Sequence, residues 1–394
     1  MTIEASSSTT VGRRLRLGMV GGGRGAFIGA VHRMAARLDD RYELVAGALS
    51  SDPERAQASA ADLHIAPDRT YTDFETMAKA EAARPDGIDV VSIVTPNHLH
   101  APIATAFLKA GIHVICDKPM TRTVAEAEAL AALVAETGRI FVLSHNYTGY
   151  PMIRQARSMV TAGELGPIRL VQVEYPQDWL TVAAETMGSK QAEWRTDPDR
   201  AGAAGGVGDI GSHAMQLAEY VSGLECEALA ADLSTFVPGR RLDDNAGMLL
   251  RFAGGARGML WCSQVAPGNA NALRLRIYGE RAGIEWSQES PNELHFSPFG
   301  EPTRKIIRSG PGANAVAAHA SRIPGGHPEG YLEAFAQIYA DTAELILARI
   351  EKRSPNPDAM AVPTVRDGVR GVRFINAAVA SSHADAAWTR LSDV

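Results

Sequence analysis

A lysine, an aspartate and a histidine are candidates for proton chemistry in this sequence. Lys118 lies in the tripeptide Asp117-Lys118-Pro119, directly after a short apolar run. Asp209 and His213 are four residues apart in a segment predicted to be helical, so both side chains face the same way. An ammonium group can stabilise a developing alkoxide, and an imidazole that titrates at about pH 6.5 can accept a proton.

A second group of polar residues follows a predicted strand that ends at Val94. It reads Thr95-Pro96-Asn97-His98-Leu99-His100. Ligands of open α/β sheets bind beyond the carboxyl ends of the strands, and Asp117 follows the next strand at the same edge. Each signal is modest by itself, because a single histidine is usually structural and a Lys-Pro dipeptide is usually part of a turn.

A glycine-rich loop, Gly21-Gly22-Gly23-Arg24-Gly25, separates the first predicted strand from the first predicted helix. Gly21 and Gly23 occupy the first two positions of a dinucleotide fingerprint, which permit a tight turn and bring backbone N–H groups close to a pyrophosphate. The third position is open, because strict spacing places it at Ala26 and a longer loop places it at Gly29. The strand–loop–helix context favours nucleotide binding over a plain turn.

The end of the second predicted strand bears on the choice between NAD and NADP, because an acidic residue there often binds the ribose of NAD. This chain has Ser50-Ser51-Asp52 at that point. With Ser50 at the ribose-reading position, a 2′-phosphate could be tolerated, and Asp52 is better explained as a helix cap. Arg55 could reach that phosphate or could be an ordinary solvated arginine. The choice between NAD and NADP stays open.

The first 145 residues alternate short apolar strands with helices. Strands separated by helices form right-handed βαβ units, which predicts a doubly wound parallel sheet covered on both faces. The predicted strands are Leu15–Val20, Glu43–Leu49, Asp89–Val94, His113–Cys116 and Ile140–Leu143. The predicted helices are Phe27–Leu38, one that opens at Asp52-Pro53, Ile103–Lys109 and Thr123–Glu136.

The pattern changes after residue 150. Between residues 227 and 307, short turns rather than helices separate the strands, which favours a mainly antiparallel sheet. The predicted strands are Ile168–Glu174, Ala228–Thr235, Ala246–Phe252, Arg257–Ser263, Leu273–Tyr278, Gly283–Trp286 and Glu293–Phe296. The predicted helices are Met152–Thr161 and residues 210–221, 329–351 and 365–383. Residues 308–328 are predicted to form a long loop, a feature that is often functional.

The composition is that of an ordinary globular protein. The chain has 394 residues, with 39 Lys and Arg against 45 Asp and Glu and a formal net charge of −6, which argues against nucleic-acid binding. No apolar run reaches the roughly 18 residues of a membrane span. The three cysteines are widely spaced, which favours a reducing cytoplasm, and no metal-binding spacing is visible. Residues 1–12 show no export signal and are predicted to be a disordered tail.

Taken together, these motifs resemble the Gfo/Idh/MocA family of oxidoreductases, named after glucose–fructose oxidoreductase and inositol dehydrogenase. The resemblance rests on motifs that occur in family order over roughly residues 15–300. They are the glycine loop, Thr95 to His100, Asp117-Lys118-Pro119, Asn146-Tyr147, Gly163-Glu164-Leu165-Gly166, Trp194-Arg195 and Gly208-Asp209-Ile210-Gly211-Ser212-His213. The glycine loop is lengthened, and Asp117 replaces the glutamate of the family's Glu-Lys-Pro.

The resemblance implies an α/β architecture in two domains. Residues 13–145 would form an NAD(P)-binding Rossmann domain with a doubly wound parallel sheet. Residues 146–394 would form a substrate-binding α+β domain with an open, mainly antiparallel sheet. The outer face of that sheet would make a homodimer or homotetramer interface. The implied activity is hydride transfer between NAD or NADP and a secondary alcohol of a sugar, glycoside or inositol.

The resemblance also implies roles for individual residues. Lys118 would lie between nicotinamide and substrate, with Asp209 and His213 completing the catalytic site. His213 is the expected base, although a neutral Lys118 could take that role. Which of the two accepts the proton stays open. The expected cofactor contacts are Gly21, Gly23, Arg24, Ser50, Ser51, Thr95, Pro96, Asn97, His100, Asp117, Lys118, Asn146, Trp194 and Arg195. The expected substrate contacts are Lys118, Tyr147, Asp209, His213, His327 and Tyr331.

Two other functions remain open. The protein could keep its cofactor tightly bound and cycle it, as in redox-assisted glycoside cleavage or oxidoreduction between two substrates. It could instead be a non-catalytic dinucleotide sensor, which the joint presence of Lys118, Asp209 and His213 disfavours.

Overall fold

The computed structural model describes residues 13–394, so the disordered tail predicted for residues 1–12 lies outside the described residues. Its first sheet has five parallel strands in the order β2-β1-β3-β4-β5. These are β1 (Leu15–Gly21), β2 (Tyr42–Ala48), β3 (Val90–Val94), β4 (His113–Cys116) and β5 (Phe141–Leu143). The connecting helices are α1 (Phe27–Leu38), α2 (Pro53–Asp62), α3 (Phe74–Ala83), α4 (His100–Lys109) and α5 (Val124–Thr137).

The second sheet has nine strands in the order β13-β12-β11-β10-β6-β9-β8-β7-β14. Its pairs are antiparallel apart from the parallel pair of β6 and β9. The strands are β6 (Ile168–Pro176), β7 (Cys226–Ser234), β8 (Asn245–Phe252), β9 (Arg257–Ser263), β10 (Arg274–Gly279), β11 (Ala282–Ser287), β12 (Glu293–Pro298), β13 (Arg304–Ile307) and β14 (Thr389–Arg390). The predicted combination of a doubly wound sheet and a mainly antiparallel sheet is confirmed.

Seven further helices accompany the second sheet in the described part of the chain. They are α6 (Pro151–Thr161), α7 (Lys190–Arg195), α8 (Pro198–Ala201), α9 (Ser212–Ser222), α10 (Ala315–His319), α11 (Tyr331–Ile350) and α12 (Val365–His383). Residues 308–328 are therefore not an unstructured loop, because they contain α10. The Arg308 side chain is 1% exposed and stabilises this segment. Its guanidinium donates a hydrogen bond to the Ile323 carbonyl (2.7 Å) and forms an ion pair with Glu329 (2.9 Å).

The last two long helices return to the first sheet. Phe335 and Tyr339 of α11 pack with Leu15 and Leu17 of β1 against one face of that sheet. On the other face, Val372 of α12 joins the core formed with α3, α4 and α5. One face of the second sheet packs on α6 and α9 in a separate core. The carboxyl ends of the parallel strands thus face the second half of the chain.

The buried imidazole of His113 ties β4 to the turn before β5. Its Nδ1 accepts the Ile140 N–H at 2.9 Å, and the side chain is 6% exposed. Burial, helped by the charges of Arg139 and Arg349, lowers the pKa of His113 to about 4. Its neutral form is therefore the one compatible with the fold.

We expect His113→Asn to reduce the acid sensitivity of folding. The pKa of this histidine is about 6.5 in the unfolded chain and about 4 in the folded protein. At a pH between these two values only the unfolded chain binds the proton, so the free energy of unfolding decreases as the pH falls. For His113 this loss is about 2 kcal/mol between pH 7 and pH 5. An asparagine can still accept the Ile140 N–H but does not titrate. Urea unfolding at both pH values measures the difference, and His295→Asn, at an exposed position of β12, should behave like wild type.

Candidate active site

Two adjoining cavities lie beyond the carboxyl ends of the parallel strands. The first, here called the glycine cleft, has a volume of about 390 Å³. Its lining includes Gly21, Gly22, Thr95, Pro96, Asn97 and Trp194. The second, here called the tyrosine cavity, has a volume of about 490 Å³. Its lining includes Tyr147, Tyr175, His213, Asn271, Gln288 and Tyr331. Asp117, Lys118, Arg195 and Asp209 line both, so the cavities meet at these charges.

The glycine loop allows the chain to turn tightly from β1 into α1. Gly21 and Gly22 have φ angles of +81° and +72°, a region that side chains rarely tolerate. A Cβ on Gly29 would overlap the Cα of Gly22 and lie 2.7 Å from its carbonyl oxygen. Gly29 therefore permits helix α1 to pack closely on the glycine loop. This is the role of the third glycine of the fingerprint, so Gly29 rather than Ala26 takes that position.

The glycine cleft fits the diphosphate of a dinucleotide. Helix α1 begins at Phe27, directly after the loop, so its unpaired N–H groups are available to an anion. A Cβ on Gly22 would meet Val94 at 2.8 Å, so a side chain there would crowd the strand ends. Arg55 and Lys190 add positive charge to the lining.

Four of the expected cofactor residues, all in the loops that follow β1 and β2, lie outside this lining. Arg24 pairs with Asp62 at 2.6 Å, and the Ser50 hydroxyl accepts the Asp52 N–H at 3.2 Å. Ser51 is exposed in the turn between β2 and α2. Asp52 caps α2 by accepting the Arg55 N–H at 2.7 Å, as predicted. Gly23 also lies outside the lining, and a Cβ there would point at the Leu49 carbonyl, 2.6 Å away.

His100 does not line the glycine cleft, contrary to the expectation. Its side chain is fully buried, with Nδ1 2.8 Å from the Pro119 carbonyl and Nε2 2.9 Å from the Thr95 carbonyl. It therefore lies beneath the site and joins the two loops that follow β3 and β4. Asn97 does line the cleft, and it donates to the Ala201 carbonyl at 2.8 Å.

Lys118 and Asp209 are in direct contact, although they are 91 residues apart in sequence. The Lys118 Nζ lies 3.0 Å from Oδ1 of Asp209 and also donates to the Asp209 backbone carbonyl. Oδ2 accepts from the Gln264 amide at 2.9 Å, and the Arg195 Nε lies 3.4 Å away. Burial raises the pKa of Asp209, but Lys118 and Arg195 outweigh it and hold that pKa well below its usual range. The carboxylate is therefore ionised.

Asp209 projects from a π-helical turn, Val207–Gly211, that leads into α9. The buried carboxylate of Asp243 holds the start of this turn by accepting the N–H groups of Gly205 (2.6 Å) and Val207 (2.8 Å). Asp243 was not predicted, because its partners lie 36 and 38 residues away in sequence and share no motif with it.

His213 lines the tyrosine cavity and contacts a second histidine. Its Nδ1 lies 3.4 Å from Nδ1 of His145, and its ring meets the Tyr147 ring edge-on at 5.0 Å. Burial lowers the pKa of His213 well below the ordinary value, and the positive charge of Lys118 adds to this effect. The imidazole is therefore neutral, rather than half-protonated near neutral pH.

A chain of uncharged polar groups forms the far wall of the tyrosine cavity. The Tyr147 and Tyr175 hydroxyls are hydrogen-bonded, and the Tyr175 hydroxyl donates to Oδ1 of Asn271 at 2.7 Å. The Gln177 amide donates to the same oxygen at 2.7 Å. Tyr147 was predicted, whereas Tyr175, Gln177 and Asn271 were not, because sheet register alone brings them together.

The remaining expected residues divide between the cavities and the surface. Tyr331 and Asn146 line the tyrosine cavity, and Asn146 is not part of the glycine-cleft lining. Trp194 lines the glycine cleft, with the Arg195 guanidinium 4.3 Å from its ring centre. His327 is exposed and lies outside both cavities, because Arg308 binds its backbone carbonyl and fixes that loop away from the site.

Comparison with known proteins identifies the family. Residues 15–156 match an oxidoreductase family with an NAD-binding Rossmann fold, and residues 153–285 match the GFO/IDH/MocA C-terminal domain. The chain belongs to the Gfo/Idh/MocA oxidoreductase family. This confirms the resemblance inferred from the motifs, and the first sheet of this family member is an NAD-binding Rossmann domain.

Similar proteins cover nearly the whole of this Gfo/Idh/MocA chain. A crystal structure of an oxidoreductase from Sinorhizobium meliloti is 54% identical, with a TM-score of 0.87, over 95% of this chain and 99% of that one. The Bacillus subtilis oxidoreductase YfiI is 35% identical over 96% of this chain and 97% of its own length.

A third relative, an inositol dehydrogenase homolog from Azotobacter vinelandii, has been crystallised with ligands. Its complex with NAD+ is 36% identical, with a TM-score of 0.92, over 98% of this chain and 99% of that one. The chain in the complex with NADH and myo-inositol is 35% identical, with a TM-score of 0.88, over 96% of this chain and 98% of that one.

Residues 13–394 contain neither a membrane-spanning helix nor a cluster of metal ligands. Among these residues, no helix is long and apolar enough to cross a membrane. Nor does this part of the chain bring together three or more His, Cys, Asp or Glu side chains that could hold a metal ion.

We expect Gly29→Ala to weaken both the fold and NADH binding. The added methyl group must displace α1 from the glycine loop, which should cost about 1–3 kcal/mol as an overpacked contact. Urea unfolding and titration calorimetry with NADH measure the two effects. The matched control is Gly371→Ala in α12, where the new Cβ meets no heavy atom within 4 Å. The control should bind NADH normally and gain up to about 1 kcal/mol of stability.

Proposed function

We propose that this protein transfers a hydride between NAD(P) and a secondary alcohol of a sugar, glycoside or inositol. The observation that carries the proposal is the place where the two cavities meet. There the Lys118 ammonium and the Asp209 carboxylate, 3.0 Å apart, line both cavities, and the His213 imidazole lines the tyrosine cavity.

The residues divide the chemistry between them. Bound NAD(P)+ supplies the hydride acceptor. Lys118, held by Asp209, binds the reacting hydroxyl and stabilises negative charge on its oxygen. His213, neutral before the reaction, accepts the hydroxyl proton, and Asp209 offsets the positive charge that then develops. Tyr147 and Tyr331 contact the rest of the substrate from the wall of the tyrosine cavity.

The cavity supports an uncharged polyol as substrate. Its formal charges balance, with Asp117 and Asp209 against Lys118 and Arg195, and the rest of its polar lining is uncharged. Hydroxyls of a ring can replace the hydrogen bonds that Tyr147, Tyr175 and Asn271 now make to one another. The Azotobacter vinelandii homolog crystallised with NADH and myo-inositol supports the same class.

We expect Lys118→Met to lower kcat/KM by about 10²–10⁴, because it keeps the apolar stem but removes the charge that stabilises the alkoxide. Asp209→Asn and His213→Asn should fall in the same range. The assay is absorbance at 340 nm with NAD+ and NADP+ on a panel of inositols, aldoses and glycosides. Lys305→Met, on β13 and paired with Glu293 at 3.0 Å, is the control and should match wild type. Wild-type rates in Lys118→Met would contradict the assignment.

The same assay separates the alternatives. Nucleotide that leaves the protein only on denaturation, with no turnover of added cofactor, would favour cycling of a tightly bound cofactor. Reversible binding of NADH without turnover of any polyol would favour a dinucleotide sensor.

We also propose that the chain forms a homodimer or homotetramer through the outer face of the second sheet. That face exposes Leu170, Leu249, Met259, Tyr278 and Trp388, each 39–52% exposed. An apolar patch of this kind on a regular sheet is typical of an interaction surface, and a second copy supplies a matching face. The three free, buried cysteines support a reducing compartment, and we propose the cytoplasm.

We expect Met259→Glu to shift the protein to a smaller species, because it buries a charge in the proposed contact. Light scattering coupled to gel filtration gives the mass. Met34→Glu is the control, since Met34 is similarly exposed (46% against 49%) but lies on α1. A wild-type protein that is already monomeric would overturn the proposal.

A further inference from the structure

His145 makes a contact that the proposed mechanism does not use. It follows β5 and is 2% exposed, and its ring stands at 84° to that of His213 with centroids 5.2 Å apart. The two Nδ1 atoms face each other at 3.4 Å. His213 lines the tyrosine cavity, whereas His145 does not, so Nε2 is the His213 nitrogen left for a ligand.

Both imidazoles are neutral, so each carries one proton. Burial lowers the pKa of His145 to about 3, with Lys118 adding to the effect and Asp117 opposing it. Two neutral rings whose Nδ1 atoms face each other can share only one proton at that contact. Either His213 donates to His145, or His145 donates to His213.

The two arrangements have opposite consequences for chemistry. If His213 donates through Nδ1, its Nε2 carries a lone pair and can accept a proton. If His145 donates instead, Nε2 of His213 already carries a hydrogen and cannot serve as a base. The separation of 3.4 Å is long for a hydrogen bond, as is common for catalytic contacts before the substrate binds.

We propose that His145 is a positioning residue that accepts the Nδ1 proton of His213 and so leaves Nε2 of His213 free to take the substrate proton. This rests on the proposed dehydrogenase function. Its net change is the movement of one proton from the substrate hydroxyl to Nε2 of His213, with the hydride passing to NAD(P)+. The charged groups that face His145 are Asp117 and Lys118, both on the turn after β4.

The first test reads the tautomer without any substrate. In ¹⁵N-histidine-labelled protein at pH 7.5, long-range ¹H–¹⁵N spectra distinguish protonated from unprotonated ring nitrogens, and His213→Asn identifies the His213 signals. We expect protonated Nδ1 and unprotonated Nε2 on His213. Finding the proton on Nε2 would overturn the proposal even if the enzyme is fully active.

The second test compares two replacements of His145. His145→Asn places an amide oxygen near the position of Nδ1 and should keep the His213 tautomer and most of kcat. His145→Leu offers no acceptor and should lower kcat on the order of 10²-fold, with KM changed much less. Equal kcat in wild type and His145→Leu would refute the role. If the His145→Leu variant does not fold, the spectra of wild type and His145→Asn still decide.

The two tests separate this proposal from the one on which it rests. Absence of polyol turnover in the wild-type protein would remove the dehydrogenase function, while the tautomer of His213 would still be measured. Turnover with the wrong tautomer would remove only the role of His145.

Discussion

The ion pair between Lys118 and Asp209 is the contact on which the arrangement of the site depends. It joins the turn after β4 to the turn before α9, and so connects the edge of the parallel sheet to the second half of the chain. Burying two charges is costly unless each is well paired. Here Gln264 and Arg195 complete the surroundings of the carboxylate, which keeps it ionised and in place.

That pair also contributes to the charge state of the neighbouring histidines. Burial lowers the pKa of His213 and of His145, and the Lys118 ammonium adds to this effect, so both imidazoles are neutral. A neutral imidazole beside a fixed cation can accept a proton only when negative charge is present to compensate. Asp209 supplies that charge, and its own position depends on the backbone bonds to Asp243.

Most of the fold could be predicted from the sequence, because periodicity and capping are local. Helices α1 and α12 and strands β4 and β9 have the predicted bounds. The short elements α7, α8, α10, β13 and β14 were missed, since a few residues give too little periodicity, and α3 was missed although it has ten residues. In residues 308–328, the Arg308 contacts that order the segment come from tertiary packing rather than from turn residues.

The site could be predicted only in part. Strand ends and helical spacing made Lys118, Asp209 and His213 candidates, the family resemblance implied their catalytic roles, and the structure brings them to one cavity. His100 was assigned to the wrong side of its loop, because a motif shows that a residue matters but not which way it points. Tyr175 and Asn271 were missed because their contact depends on the register of β6 and β10, which no local pattern encodes.

Helix α11 begins at the wall of the tyrosine cavity with Tyr331 and continues into the core of the Rossmann sheet with Phe335 and Tyr339. The hydroxyl of Tyr42 on β2 donates to the Tyr339 backbone carbonyl at 2.7 Å. A hinge motion that swung the two halves apart would have to break this buried packing. The segment of residues 177–201, which contributes Gln191 and Arg195 to the lining of both cavities, has by contrast helices of only four and six residues.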